Sequence, residues 1–172
     1  MEQEILSEKQ KGIIKLIQGN NVEVMHAINA FAIGAAKTEK VLYIDSANSF
    51  NPEIIMMKEP QNSNIILDNL KIARPFTAFQ FITLMDSLET EIQRIGASVV
   101  VITGINTLFL GLKRREIRNI VPGILQKIKD LKKEHKTNFL IGNINSDNPL
   151  NSSNELLIRQ ILRNHLRKIL IV

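Results

Sequence analysis

The 172-residue chain contains no cysteine and no tryptophan, has few aromatics, and holds no apolar run near the ~18 residues of a membrane span. Without cysteine there are no disulfides, no thiol nucleophile and no cysteine–zinc site, which suits a reducing compartment and leads us to expect a cytoplasmic protein. The scarcity of aromatics argues against a platform on which unpaired bases stack. The opening residues, MEQEILSEKQKG, are acidic and polar, unlike a secretory leader, and no membrane partner is expected. What the chain does have is a net charge of +5 and an isoelectric point near 9.6. That balance permits a polyanionic partner without demanding one. The length suits one domain burying roughly 70% of its unfolded surface.

No repeat, low-complexity tract or long linker interrupts the chain. Apolar periodicity predicts strands at Ile13–Gln18, Val41–Asp45, Leu70–Ala73, Ser98–Ile102 and Asn138–Ile141, alternating with helices. The helices fall at Val22–Ala36, Thr77–Ile95 and Ile117–His135. Thr77 and Gln80 form a capping-box start for the second. Pro122-Gly123 either kinks the third or marks its true beginning. The tail, Leu156–Val172, reads as two strands around Arg163-Asn164-His165. The expected fold class is α/β: a mainly parallel sheet with helices on both faces and an antiparallel C-terminal hairpin at one edge.

The junction of the first strand and first helix carries a telling pattern. A phosphate-binding loop reads G-x-x-x-x-G-K-[ST] at such a place. Here Gly19 keeps the first glycine, Val24 stands for the second, Met25 for the lysine and His26 for the hydroxyl that binds magnesium. Asn20 and Glu23 stand three apart, as in a capping box, so the helix can satisfy its own first amides. Glu23 then puts a carboxylate where a phosphate would need positive charge, and Val24 removes the freedom a glycine allows. The same residues equally describe an ordinary capped helix after a strand.

Four segments together resemble the RecA/RadA recombinases and their archaeal paralogues. They are Gly12–Gly19 with the helix behind it, Val41–Glu53 (VLYIDSANSFNPE), Asn69–Gln80 (NLKIARPFTAFQ) and Val99–Phe109 (VVVITGINTLF). The resemblance covers nearly the whole chain from about residue 12. It implies a single RecA-like domain over 1–172, with 1–11 as an N-terminal extension and without the family's N-terminal helical domain or its Phe-x-x-Ala linker. It also implies where phosphoryl transfer would be run, and there the residues depart from the family. Ala47 replaces the carboxylate that activates water, Thr103 replaces the acid that assists magnesium, and Asn143-Ile144 is the nearest match to the γ-phosphate sensor. Losing lysine, hydroxyl, acid and base together leaves no phosphoryl-transfer machinery. The expectation is a degenerate ATPase with no catalytic residue and no cofactor. Asp45, the one family acid retained, is expected to orient a neighbouring loop.

By the same resemblance, Lys113, Arg114, Arg115 and Arg118 fall where the family's first DNA-holding loop lies, and are the candidate contacts to single-stranded DNA. Read without it, they are a solvated basic turn opening a helix. The second DNA loop would fall near Ser146–Glu155, short and without a basic residue. Arg159, Arg163, Arg167 and Lys168 are expected to keep an edge strand soluble. Lys127, Lys129, Lys132 and Lys133 are expected to face solvent, and Met56-Met57 to fill the core. The three histidines show no ligand spacing, so no metal is expected. The leading expectation is a non-catalytic paralogue that binds single-stranded DNA, a recombinase, or both, and modulates recombination or repair. The alternative is a pure interaction subunit of an ATP-competent paralogue, and homo-oligomerisation through the edge strand stays open.

Overall fold

The computed structural model describes residues 12–144, 152–166 and 169–171. The expected extension over 1–11 and most of the Asn/Ser-rich stretch before Ser152 lie outside the described residues. Six strands form one sheet: β1 (Ile14–Gly19), β2 (Val41–Asp45), β3 (Leu70–Ala73), β4 (Val99–Thr103), β5 (Asn138–Ile144) and β6 (Ile169–Ile171). Their spatial order is β3-β2-β4-β5-β1-β6, and every pairing is parallel. Central strands β2 and β4 are buried at every position, so VLYID and VVVIT read as continuous apolar runs rather than alternating ones.

Helices cover both faces. On one lie α1 (Asn21–Ala36), α2 (Glu53–Lys58) and α3 (Ser63–Asn69), packed over Ile17, Tyr43, Val101 and Leu140. On the other lie α4 (Ala78–Asp86), α5 (Leu88–Ile95), α6 (Ile105–Phe109), α7 (Arg114–His135) and α8 (Ser152–His165), packed over Leu16, Ile44, Ile102 and Ile141. Gly142 lets α1 lie close on β5: a Cβ there would come 2.0 Å from Ile28 Cδ1.

Three sequence expectations change. The C-terminal hairpin is not formed. Residues Ser152–His165 are helical, and Ile169–Ile171 pairs parallel to β1. Leu157, Ile158, Ile161 and Leu162 are buried together, a spacing that fits a helix and not the two-residue alternation of a strand. Arg159 and Arg163 therefore lie on α8, not on an edge strand. The helix expected over Thr77–Ile95 is two helices broken at Ser87, whose hydroxyl bonds the carbonyls of Thr83 and Leu84. Thr77 does cap the first, accepting from Gln80 N at 3.1 Å. Helix α7 begins at Arg114 and runs past Pro122. The carbonyl that Pro122 leaves without its helical donor belongs to Arg118, an exposed residue that water reaches.

Candidate functional site

In a parallel sheet with helical crossovers, all strand carboxyl ends face one way. The Gly19–Asn20 junction, the loop after Asp45, the Thr103-Gly104 turn and the start of α7 thus share one edge. At the first of these, Asn20 is the N-cap of α1, and its side chain accepts from Glu23 N at 2.9 Å. Asn20 and Glu23 are exposed. Val24 and Met25 are buried in the core under α1, while His26 faces outward. The three residues in the glycine-lysine-hydroxyl register therefore divide: two serve as packing, and one lies on the outer face of the helix.

Asp45 ends β2 beneath this edge, wholly buried. Its carboxylate accepts from Ser49 N at 3.1 Å and Phe50 N at 3.0 Å, and lies 3.3 Å from Arg74 Nε. Arg74 in turn donates to Phe50 O at 2.6 Å. Thr103, opposite Asp45 on β4, brings its hydroxyl to 3.4 Å from Ile44 O and Asp45 Oδ1. The carboxylate therefore organises the 46–50 loop, as the sequence suggested, with Arg74 and Thr103 as its neighbours. Ala47 sits half-buried in that loop against Gly104, where φ is +67° and a Cβ would come 2.7 Å from Ala47 N. Gln18 and Asn143 are register partners at the ends of β1 and β5, both buried. Arg163 reaches across from α8 to donate to Gln18 Oε1 at 2.9 Å.

Lys113, Arg114, Arg115 and Arg118 are all exposed at the start of α7. Glu116 folds back to accept from Lys113 N at 2.8 Å, which closes the first turn. None of the four cations has a side-chain partner among the described residues. The turn before them is pinned from α8: Asn154 donates to Leu110 O at 3.0 Å and Leu112 O at 2.9 Å. The described part of the expected second DNA loop, Ser152–Glu155, is thus the first turn of α8 and buttresses the first loop.

Other expected roles shift. Met56 and Met57 are not core filling; they are 63% and 81% exposed, while Ile55 between α2 and the sheet is buried. Lys127 is half-buried and donates to Asp86 O at the end of α4 at 2.7 Å, whereas Lys133 is exposed. Arg159 pairs with Glu155 one turn earlier at 3.2 Å. His135 meets Glu89 of α5 at 3.0 Å, and Glu134 joins them in a group of three, the carboxylates exposed and the imidazole half-buried, that sequence spacing does not reveal. Among the described residues, no helix is long and apolar enough to cross a membrane. The Asp45–Arg74 pairing also escaped the sequence reading. Its signal was the Ala-Arg-Pro stretch, in which the arginine directly follows a short strand that pairs with β2.

An open, all-parallel sheet in the order 3-2-4-5-1-6, wrapped by helices on both faces, is consistent with a RecA fold. No known family profile matches the chain. Against curated proteins, it is 31% identical over 147 residues to the DNA repair and recombination protein RadB of Methanocaldococcus jannaschii. The match covers 79% of this chain and 66% of that relative, just under two thirds of its length. The chain is a distant homologue of RadB, a RecA-family paralogue.

Proposed function

We propose that this protein is a RecA-fold paralogue that carries out no nucleotide chemistry, binds single-stranded DNA through the start of α7, and modulates homologous recombination or DNA repair. Distant homology to a protein named for DNA repair and recombination supports the process. One observation carries the DNA contact: Lys113, Arg114, Arg115 and Arg118 stand exposed, without side-chain partners among the described residues, at the positive end of a helix. Lys113, Arg114 and Arg115, at the cap and in the first turn, oppose the helix dipole, each at a cost of about 0.3–1 kcal/mol. Helix stability alone favours acids at these positions, so the charge is explained by an anion outside the fold.

The reading without nucleotide chemistry rests on what the loop supplies. A triphosphate would meet the Glu23 carboxylate where it needs an ammonium, and Val24 and Met25 are committed to the core. Asp45, the remaining acid, is occupied by two amides and Arg74. Isothermal titration with ATP and magnesium should give no heat of binding; a micromolar site there would overturn this half of the proposal.

For DNA, four phosphate contacts on a single strand give a salt slope of about −2.8, or ~50-fold weaker binding between 50 and 200 mM salt. Fluorescence anisotropy with a labelled oligothymidine should show that slope. Neutralising Arg114, Arg115 and Arg118 together should reduce it to about −0.7. A flat salt response, or unchanged affinity in the triple variant, would remove DNA from the proposal. The second reading, an interaction subunit of an ATP-competent paralogue, is favoured by Phe76 and Phe79, which stand 66% and 78% exposed beside edge strand β3. Pull-down of such a paralogue by the triple variant would select it.

A further inference from the structure

A groove of about 440 Å³ lies between α1 and α2, on the face of the sheet opposite α7. Its wall is apolar: Ala30, Phe31 and Gly34 from α1, and Ile54 from α2, all half-buried. Met57 follows Ile54 by three residues, so it borders the same side of α2, and it is 81% exposed. A thioether there extends the apolar lip with a side chain that adapts to different shapes.

Lysine makes the rim positive. Lys58 is exposed and has no side-chain partner among the described residues, and the exposed imidazole of His26 stands on the same rim. Lys37 also lines the groove, paired with Glu59 at 2.7 Å. Glu59 is the groove's single carboxylate, and Asn62 holds its second oxygen at 3.3 Å. Lys37 and Asn62 together hold the Glu59 carboxyl below its usual range, first through their hydrogen bonds. The groove's acid is thus satisfied within the protein, and the charge left over is positive.

We propose that this groove is a docking site for an acidic amphipathic segment of a partner protein, with two or three large apolar side chains seated between α1 and α2 and carboxylates meeting Lys58 and His26. Charge complementarity selects the acidic partner over a basic one. An apolar wall with its charge confined to the rim suits an amphipathic segment, whose apolar and charged faces separate in the same way. An amphipathic helix laid in a groove needs only apolar anchors at helical spacing and flanking charge. The site stands on the opposite face from the proposed DNA contacts and does not depend on them.

The test is an amide NMR titration of the full chain with two synthetic 14-residue peptides. Both carry leucine and phenylalanine at i, i+3, i+4 and i+7; one has glutamate and aspartate elsewhere, its twin lysine and arginine. The acidic peptide should shift the resonances of Ala30, Gly34, Ile54 and Met57 and bind at least tenfold more tightly than the basic twin. Lys58→Glu, an exposed change that leaves the fold intact, should weaken it about tenfold. Ala30→Trp, checked for folding by circular dichroism, should abolish it. Binding should be unchanged in the Arg114, Arg115 and Arg118 triple variant, which separates this site from the DNA reading. Four results would overturn the proposal: equal binding of the basic twin, shifts centred on Phe76–Phe79, self-association that Lys58→Glu abolishes, or an anilinonaphthalene sulfonate that competes at the groove and binds as tightly as the peptide.

Discussion

Arg74 Nε lies 3.3 Å from Asp45 Oδ2, and the carboxylate it meets is wholly buried while the guanidinium is about one-third exposed. The pair joins the end of β2 to the residue that follows β3, and the same carboxylate fixes the 46–50 loop by accepting the amides of Ser49 and Phe50. Asp45→Ala would leave those donors unsatisfied in a buried place. We expect a loss of about 2–4 kcal/mol, the range for stranding buried hydrogen-bonding groups beside a charge. Asp45→Asn keeps an acceptor and should lose less. Urea denaturation measures both; equal losses for Ala and Asn would show that the negative charge, rather than hydrogen bonding, carries the loop.

Gly142 and Ile28 provide a second test, of packing rather than charge. A Cβ on Gly142 would sit 2.0 Å from Ile28 Cδ1 but 3.4 Å from Ile28 Cγ1. Gly142→Ala should therefore destabilise by about 1–3 kcal/mol, the usual range for overpacking. Ile28→Val removes the clashing methyl and leaves the tolerated carbon. The double variant should recover most of the loss, a favourable coupling visible in a double-mutant cycle. Additive losses would mean that α1 shifts as a body instead.

At the start of α7, stability and DNA binding should move in opposite directions. Replacing Arg114 and Arg115 with glutamate puts acids at the positive end of the helix, where each contributes about 0.3–1 kcal/mol. For a domain of this size, 1 kcal/mol corresponds to roughly 2–4 °C in Tm. The double variant should melt higher than the parent while its affinity for oligothymidine falls and its salt slope shrinks by about 1.4. A scan of melting temperature beside an anisotropy titration reads both. A variant that melts lower would show that these arginines make structural contacts.

The buried strands were legible because parallel sheets bury both faces: VLYID and VVVIT show only apolar or strand-ending residues, and they form where the pattern put them. The capped start of α1 was legible from Asn20 and Glu23. What escaped were elements whose pattern is short or shared. Helices α2, α3 and α6 have only five to seven residues, too few for a helical period to repeat. Helix α8 was misread because Leu156–Leu162 is apolar at five of its seven positions, enough to suit either period until Arg159-Gln160 is weighed. The candidate site was legible as a set of positions and not as a set of contacts. Nothing near Asp45 in sequence reveals Arg74, which arrives from the next strand 29 residues on. Met57 looked like core because nearby Ile55 is; a two-residue step of about 200° on a helix puts them on opposite sides, one inward and one facing water.

Tyr43 is the chain's single tyrosine, and no tryptophan masks its absorbance. It stands wholly buried on β2, and its hydroxyl donates to Asn29 Oδ1 of α1 at 2.8 Å. Burial pushes the phenol well above its ordinary value of 10.0, and the negative charge of Asp45 adds to the shift. A group whose folded value is raised stabilises fully below its unfolded value and loses that contribution as pH climbs toward the folded one. Tyr43 should therefore support the fold up to about pH 10 and progressively less above it, since only the unfolded chain can ionise the phenol there. An absorbance titration at the phenolate band should show no ionisation near pH 10 in the native protein, then a rise that coincides with loss of circular dichroism. Tyr43→Phe should remove this alkaline limb at the cost of an unpaired Asn29. A native phenol that titrates reversibly near pH 10 would mean that the interface between α1 and β2 opens to water far more readily than its packing implies.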